Sequence, residues 1–141
     1  MIILDTDHLT VMKYQGSQRC IRLMKRLAAS EIKDIGSTIV NYEESMRGWL
    51  AVLAKEKLVH RQVTVYGELM ELVAFFSRIK LIDFDEKSGE RFEELRSEGV
   101  RIGSMDLKIA SVVLVNEALL LTANKRDFEM VPGLKFENWL D

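Results

Sequence analysis

Short apolar runs that end in polar residues constrain the fold of this chain more than any other feature. Residues 1–4 (MIIL) stop at Asp5, residues 34–40 (DIGSTIV) run into Asn41, and residues 80–84 (KLIDF) carry Asp83 within them. Leu119–Leu121 is followed by Asn124 and Asp127. Continuous runs this short suit strands buried inside a parallel sheet. Longer segments of helical periodicity separate them, so the alternation implies an α/β fold with a central, mostly parallel sheet covered on both faces. Residues 135–140 (KFENWL) supply a short last strand or edge, with Trp139 and Leu140 docking the tail. No repeat or linker divides residues 1–141, which reads as one domain.

The helical segments carry their own punctuation. Thr6 or Asp7 is expected to cap a first helix that ends at Gly16. Ser17 is a plausible cap for the next, where Cys20, Leu23, Met24 and Leu27 recur on one side and Arg19, Arg22, Lys25 and Arg26 surround the other. Asn41 is expected to cap a third helix, with Glu44 in the reciprocal position of a capping box. That helix runs through Gly48, a residue that often marks the close approach of another backbone. Residues 59–79 show a broad apolar stripe of Val63, Tyr66, Leu69, Met70, Val73 and Phe76, and pack on the preceding helix as an αα-hairpin. Residues 86–98 form a charged helix closed by Gly99, and Pro132-Gly133 makes a turn.

Several classes of function are excluded early. A formal net charge of -2 gives no broad basic signature. One cysteine, Cys20, and two histidines, His8 and His60, do not make a structural zinc site. The lone cysteine, the absence of a basic segment before the first apolar run, and apolar stretches too short for a membrane span lead us to expect a cytoplasmic protein with no membrane contact. No phosphate-binding glycine loop and no serine nucleophile elbow is present.

The acids remain. Asp5, Asp106, either Glu43 or Glu44, and the pair Asn124/Asp127 each follow a strand or open a helix, and chemistry in open α/β sheets collects outside the strands' carboxyl ends. Carboxylates crowded at one edge repel unless a cation neutralises them, and hard oxygen ligands suit Mg²⁺ or Mn²⁺. Such a site hydrolyses phosphate esters or phosphodiesters, with one ion or two left open. Arg19, Arg22, Lys25, Arg26, Arg47, Lys125 and Arg126 are available to a phosphodiester backbone, which favours a polymer substrate, and Lys108 is at best a rim contact. His8 either touches substrate or packs the first helix.

Four stretches carry a family resemblance. MIILDTDH, STIVNYEESMRGW, IGSMDLKIAS and LLLTANKRDFEMVPGLKFENW resemble the successive motifs of the PIN-domain ribonucleases of the VapC-like toxin class, and the likeness runs over essentially the whole chain. The resemblance selects Glu44 over Glu43 and implies a PIN-like three-layer α/β/α fold. It implies that Asp5, Asp106 and Glu44 hold Mg²⁺ or Mn²⁺, Glu44 directly or through water. The resemblance implies that Asn124 completes the catalytic set, with Ser104, Asp127 and Thr6 available to the outer shell. It further implies RNA cleavage, a cognate antitoxin that covers the pocket, and a homodimer. Many relatives have an acid where Asn124 stands, which lowers the charge of this site and bears on the number of ions. The alternative is a catalytically inactive PIN-like module that binds RNA or a partner protein; a phosphatase or nuclease acting on DNA is a second rival. The apolar faces of residues 20–27 and 49–53 are either partner surfaces or core.

Overall fold

The computed structural model of the protein describes residues 1–141. Its strands are β1 (Ile2–Leu4), β2 (Ile35–Thr38), β3 (Lys80–Ile82), β4 (Leu119–Leu121) and β5 (Phe136–Glu137), in one sheet of order β3-β2-β1-β4-β5. Every neighbouring pair is parallel, so the sheet is wholly rather than mostly so. β1 lies at the centre, with Ile2 opposite both Ile35 and Leu119. The chain builds outward from β1 to β3, then crosses back to β4 on the other side. The switch in winding therefore falls between β1 and β4, where such sheets open a crevice at their carboxyl ends.

The helices are α1 (Thr6–Lys13), α2 (Gln18–Ala29), α3 (Ile39–Lys55), α4 (Val59–Phe76), α5 (Glu86–Ser97), α6 (Ser104–Val115) and the single turn α7 (Lys125–Phe128). Alternation along β1 assigns its side chains to two cores. Ile3 and Leu120 pack with Phe92, Leu95, Ile109 and Val112 from α5 and α6. Ile2, Leu4 and Leu121 pack with Leu9, Leu23, Leu72 and Phe76 from α1, α2 and α4, and with Trp139. These are the three layers of a PIN-like fold. No helix is long and apolar enough to cross a membrane.

Local details differ from expectation where a strand runs directly into a helix. α1 begins one residue early: Asp5 is its cap, accepting from the Thr6 N–H at 2.9 Å, in place of Thr6 or Asp7. β2 likewise ends at Thr38, which caps α3, so Asn41 is the third residue of the capping box rather than its cap. Glu44 is thereby released from a capping role. Gly48 has open space where a Cβ would stand; the close backbone approach is at Gly36, whose Cβ would meet the Lys80 carbonyl at 2.5 Å. Ser17 caps α2 and Gly99 follows α5 with a positive φ, as expected.

The α3–α4 hairpin forms, held in part by Tyr42 edge-on to Phe76 with ring centroids 5.0 Å apart. The apolar stripe of α4, however, mostly faces outward. Val63, Tyr66, Met70 and Val73 are exposed, while Val65, Leu72 and Phe76 are buried. The helix is apolar on two faces and only one meets the sheet, a case that periodicity alone does not decide. Among residues 20–27, Cys20, Leu23 and Leu27 are core and Met24 is exposed.

Candidate active site

Polar side chains gather at the carboxyl ends of β1, β2 and β4. Asp5 is the hub, because the Asp5 N–H donates to the Leu121 carbonyl at 2.9 Å and so fixes its backbone beside β4. Its carboxylate is buried and accepts three hydrogen bonds: from Thr6 N–H at 2.9 Å, Asn41 Nδ2 at 2.9 Å and the Thr122 hydroxyl at 2.7 Å. Burial pushes the Asp5 carboxyl above its ordinary value; the Thr122 hydrogen bond opposes that and the neighbouring Asp7 charge adds to it.

Asn41 is fully buried and orders this side of the site. Its Oδ1 accepts from the Thr38 hydroxyl at 2.7 Å, and its Nδ2 reaches both Asp5 and, at 3.1 Å, the Thr6 hydroxyl. The Thr6 hydroxyl donates onward to Glu44 Oε1 at 2.6 Å. A chain of hydrogen bonds therefore runs Thr38–Asn41–Thr6–Glu44, with Asp5 as a branch. Glu43 instead pairs with Arg47 at 2.7 Å along the helix surface. Thus Glu44, rather than Glu43, joins the polar network.

The opposite side comes from α6 and α7. Asp106 occupies the first turn of α6. Asn124 caps α7 and spreads its amide between two acids, donating to Asp106 Oδ2 at 3.2 Å and Asp127 Oδ2 at 3.1 Å. Burial, followed by the charges of Asp5, Glu44, Asp127 and Asp7, pushes the Asp106 carboxyl up to about 6. This is the signature of negative charge confined with too little compensation.

No three of these acids lie close enough to form a ready-made ligand shell, because Asn41, Thr6 and Asn124 stand between them. The donor set is nevertheless chemically matched to a divalent cation: all oxygen, several charges, and a carboxylate held up in pKa by its neighbours. Asp5, Glu44 and Asp106 are the residues with the charge to hold one.

The remaining expected residues fall in different places. Ser104 is exposed at the start of α6, and Lys125 and Arg126 are exposed on α7. Arg47 is exposed and engaged with Glu43. His8 cannot reach substrate. It is fully buried, its Nε2 accepts from the Trp139 N–H at 3.1 Å, and its Nδ1 donates to Asp7 Oδ1 at 2.5 Å. Its position on the inward face of α1, beneath the C-terminal segment, makes it a packing residue.

Asp7, Asn41 and Thr122 are the participants that sequence reading undervalued. Burial would raise the Asp7 carboxyl, but hydrogen bonds from His8 and from the Ala123 N–H outweigh it and hold it below the ordinary value. The Ala123 bond is 2.8 Å and pins the loop that presents Asn124. A readable signal existed for Thr122, the first polar residue after the buried Leu120 and Leu121.

Comparison with known proteins follows the same geometry. No family model matches the chain. A stretch of 73 residues, 49% of this chain, is 41% identical to Ribonuclease VapC2 of Rickettsia felis and covers 54% of it. Another of 69 residues, 46% of the chain, is 32% identical to the tRNA(fMet)-specific endonuclease VapC of Salmonella typhimurium and covers 52% of it. The chain thus matches about half the length of these curated relatives. The likeness in three dimensions is broader. A chain in the crystal structure of VapBC2 from Rickettsia felis, bound to a DNA fragment from the promoter, superposes with a TM-score of 0.73 at 28% identity, covering 99% of both chains. The chain therefore has the fold of that VapBC2 chain from end to end, and half of its sequence is similar to VapC ribonucleases.

Proposed function

We propose that the protein is an endoribonuclease that hydrolyses RNA phosphodiester bonds with Mg²⁺ or Mn²⁺ at the acidic edge of the sheet. The observation that carries this reading is the gathering of Asp5, Glu44, Asp106 and Asp127 at the carboxyl ends of the strands, tied through Thr6, Asn41 and Asn124, near enough that their charges add to the burial that raises the Asp106 carboxyl. A divalent cation held by Asp5 and Asp106, with Glu44 directly or through water, would supply Lewis-acid activation of the attacking water and neutralise charge on the phosphoryl oxygens.

The protein's own groups set the frame for that chemistry. Asn41 and Thr122 donate to opposite oxygens of Asp5 and fix the carboxylate's plane. The Thr6 hydroxyl orients Glu44. The Asn124 amide stands between Asp106 and Asp127 as a neutral donor to both, the kind of outer support that tunes a metal site. Ser104 is exposed at the start of the same helix as Asp106. RNA is favoured over DNA because the relatives are named as a ribonuclease and a tRNA(fMet)-specific endonuclease. The reading extends to the toxin role and a cognate antitoxin partner, supported by the likeness to a chain from a VapBC complex, and, as the family resemblance implies, to a homodimer and a cytoplasmic setting.

The test is cleavage of structured and unstructured RNAs by protein freed of any bound inhibitor, with Mg²⁺ or Mn²⁺ and with chelator. Cleavage that requires the cation and disappears in Asp106→Asn supports the proposal. Equal cleavage by wild type and Asp106→Asn, with both folded, overturns the assignment; RNA binding with no cleavage under any cation selects the inactive binding module instead.

A further inference from the structure

We infer that the cleft between α5 and the start of α6 is the channel for the single-stranded RNA that flanks the cleaved bond, with Arg96 and Arg101 as its phosphate contacts. The inference rests on the endoribonuclease reading above. The cleft has a volume of about 770 Å³ and is lined by Phe92, Arg96, Arg101, Ser104, Leu107 and Asp127 among others. That volume is in the range of sites that enclose a small organic group.

Three features of the cleft point to a nucleotide chain. Its inner end is Asp127, which shares the Asn124 amide with Asp106, so the cleft is continuous with the acidic edge. Its floor is apolar: Phe92 and Leu107 are 8% and 2% exposed. Its walls carry the two arginines. Arg101 is exposed and takes part in no ion pair of the chain. Arg96 lies with its guanidinium 5.3 Å from the centre of the Phe92 ring and only 4.0 Å from Glu93, a loose surface pair. The Arg96 guanidinium, laid over the buried Phe92 at the floor, offers a base a plane to stack on, while the outer N–H groups of both arginines meet phosphates.

Electrostatics give the cleft its purpose. The acidic edge repels a polyanion, so a strand entering it needs cations on at least one flank. Lys125 and Arg126 line no part of this cleft. Arg96 and Arg101 do, and they line it together with Asp127. A duplex presents its bases inward and has none to offer the floor, so the channel selects splayed single strands.

The experiment compares wild type, Arg96→Ala, Arg101→Ala, the double variant, Arg101→Lys and, as a control on a remote helix, Arg61→Ala. Binding of a short fluorescein-labelled single-stranded RNA is followed by anisotropy in chelator at several salt concentrations, and cleavage is then followed with Mg²⁺ or Mn²⁺. Each alanine variant is expected to weaken binding roughly tenfold and to make the salt slope shallower by about 0.7. KM should rise with kcat held within about twofold. Arg101→Lys should keep the salt slope, and Arg61→Ala should match wild type. If the double variant binds and cleaves like an active wild type, the channel is overturned and the endoribonuclease reading stands. If the arginines govern RNA binding but wild type never cleaves, the channel stands and that reading falls. No RNA affinity in wild type overturns both.

Discussion

On the β1 side of the acidic edge three carboxylates draw on six donor groups; on the α6 side two carboxylates share one amide. Asp5 accepts from Thr6, Asn41 and Thr122, Asp7 from His8 and Ala123, and Glu44 from Thr6. Asp106 and Asp127 both rely on Asn124. The first group is an orienting frame anchored in buried backbone. In the second, charge accumulates because local donors are too few to balance it. The lesson is that rigidity and electrostatic tension are allotted to different sides of one site.

The sharpest way to break this division is Asp106→Asn. Cleavage should fall by roughly a hundredfold or more. The same change should stabilise the protein in chelator, since a carboxyl raised from 3.8 to about 6 is disfavoured in its charged form by folding. The sign follows: the penalty is absent below pH 3.8, grows as pH rises between the two values, and is complete above about 6. After discounting for solvent at a half-buried group, the gain at pH 7.5 is about 1–2 kcal/mol, and it should vanish at pH 3.5 in urea titrations. A mutant that is less stable at pH 7.5 would place Asp106 among the frame residues.

Asn41→Ala attacks the other side. It removes the capping box of α3 and one of the donors to buried Asp5, so a loss of about 2–4 kcal/mol is expected. Chemical denaturation measures it, and a loss under 1 kcal/mol would argue against a frame. Asn124→Asp sharpens the electrostatic side: an Asp keeps the α7 cap but adds a charge between two others. In chelator at pH 7.5 it should cost about 1–2 kcal/mol, and added Mg²⁺ or Mn²⁺ should raise the melting temperature more than in wild type. The smallest effect belongs to Arg47→Ala, which breaks only an exposed helix-surface pair with Glu43. Its stability should change by less than about 0.5 kcal/mol.

Much of this architecture was readable along the chain because apolar runs and acids fall at strand ends. β1 and β4 were legible from MIIL and LLL, Asp5 from its place at the end of the first run, and Asp106 from its place at the opening of a helix. The limits have physical causes. Asn41 looked like a helix cap because a capping box works with its residues at either end of the motif, and only the backbone tells that Thr38 begins it. The outward stripe of α4 was misread because that helix is apolar on two faces. Arg96 and Arg101 were invisible as site residues, since their place beside Asp127 depends on how α5 and α6 pack. His8 read as a possible substrate contact, whereas contact with Trp139 across the whole length of the sequence turns it inward.

That inward histidine has a further consequence. Trp139 N–H, the His8 ring, Asp7 and Ala123 N–H form one unbroken line of contacts from the tail of the chain to the loop ahead of Asn124. The last few residues therefore serve as a keystone for the reactive edge without touching it. Trimming them would slacken Asp7's grip on that loop, and an expression tag placed there would load the site from behind.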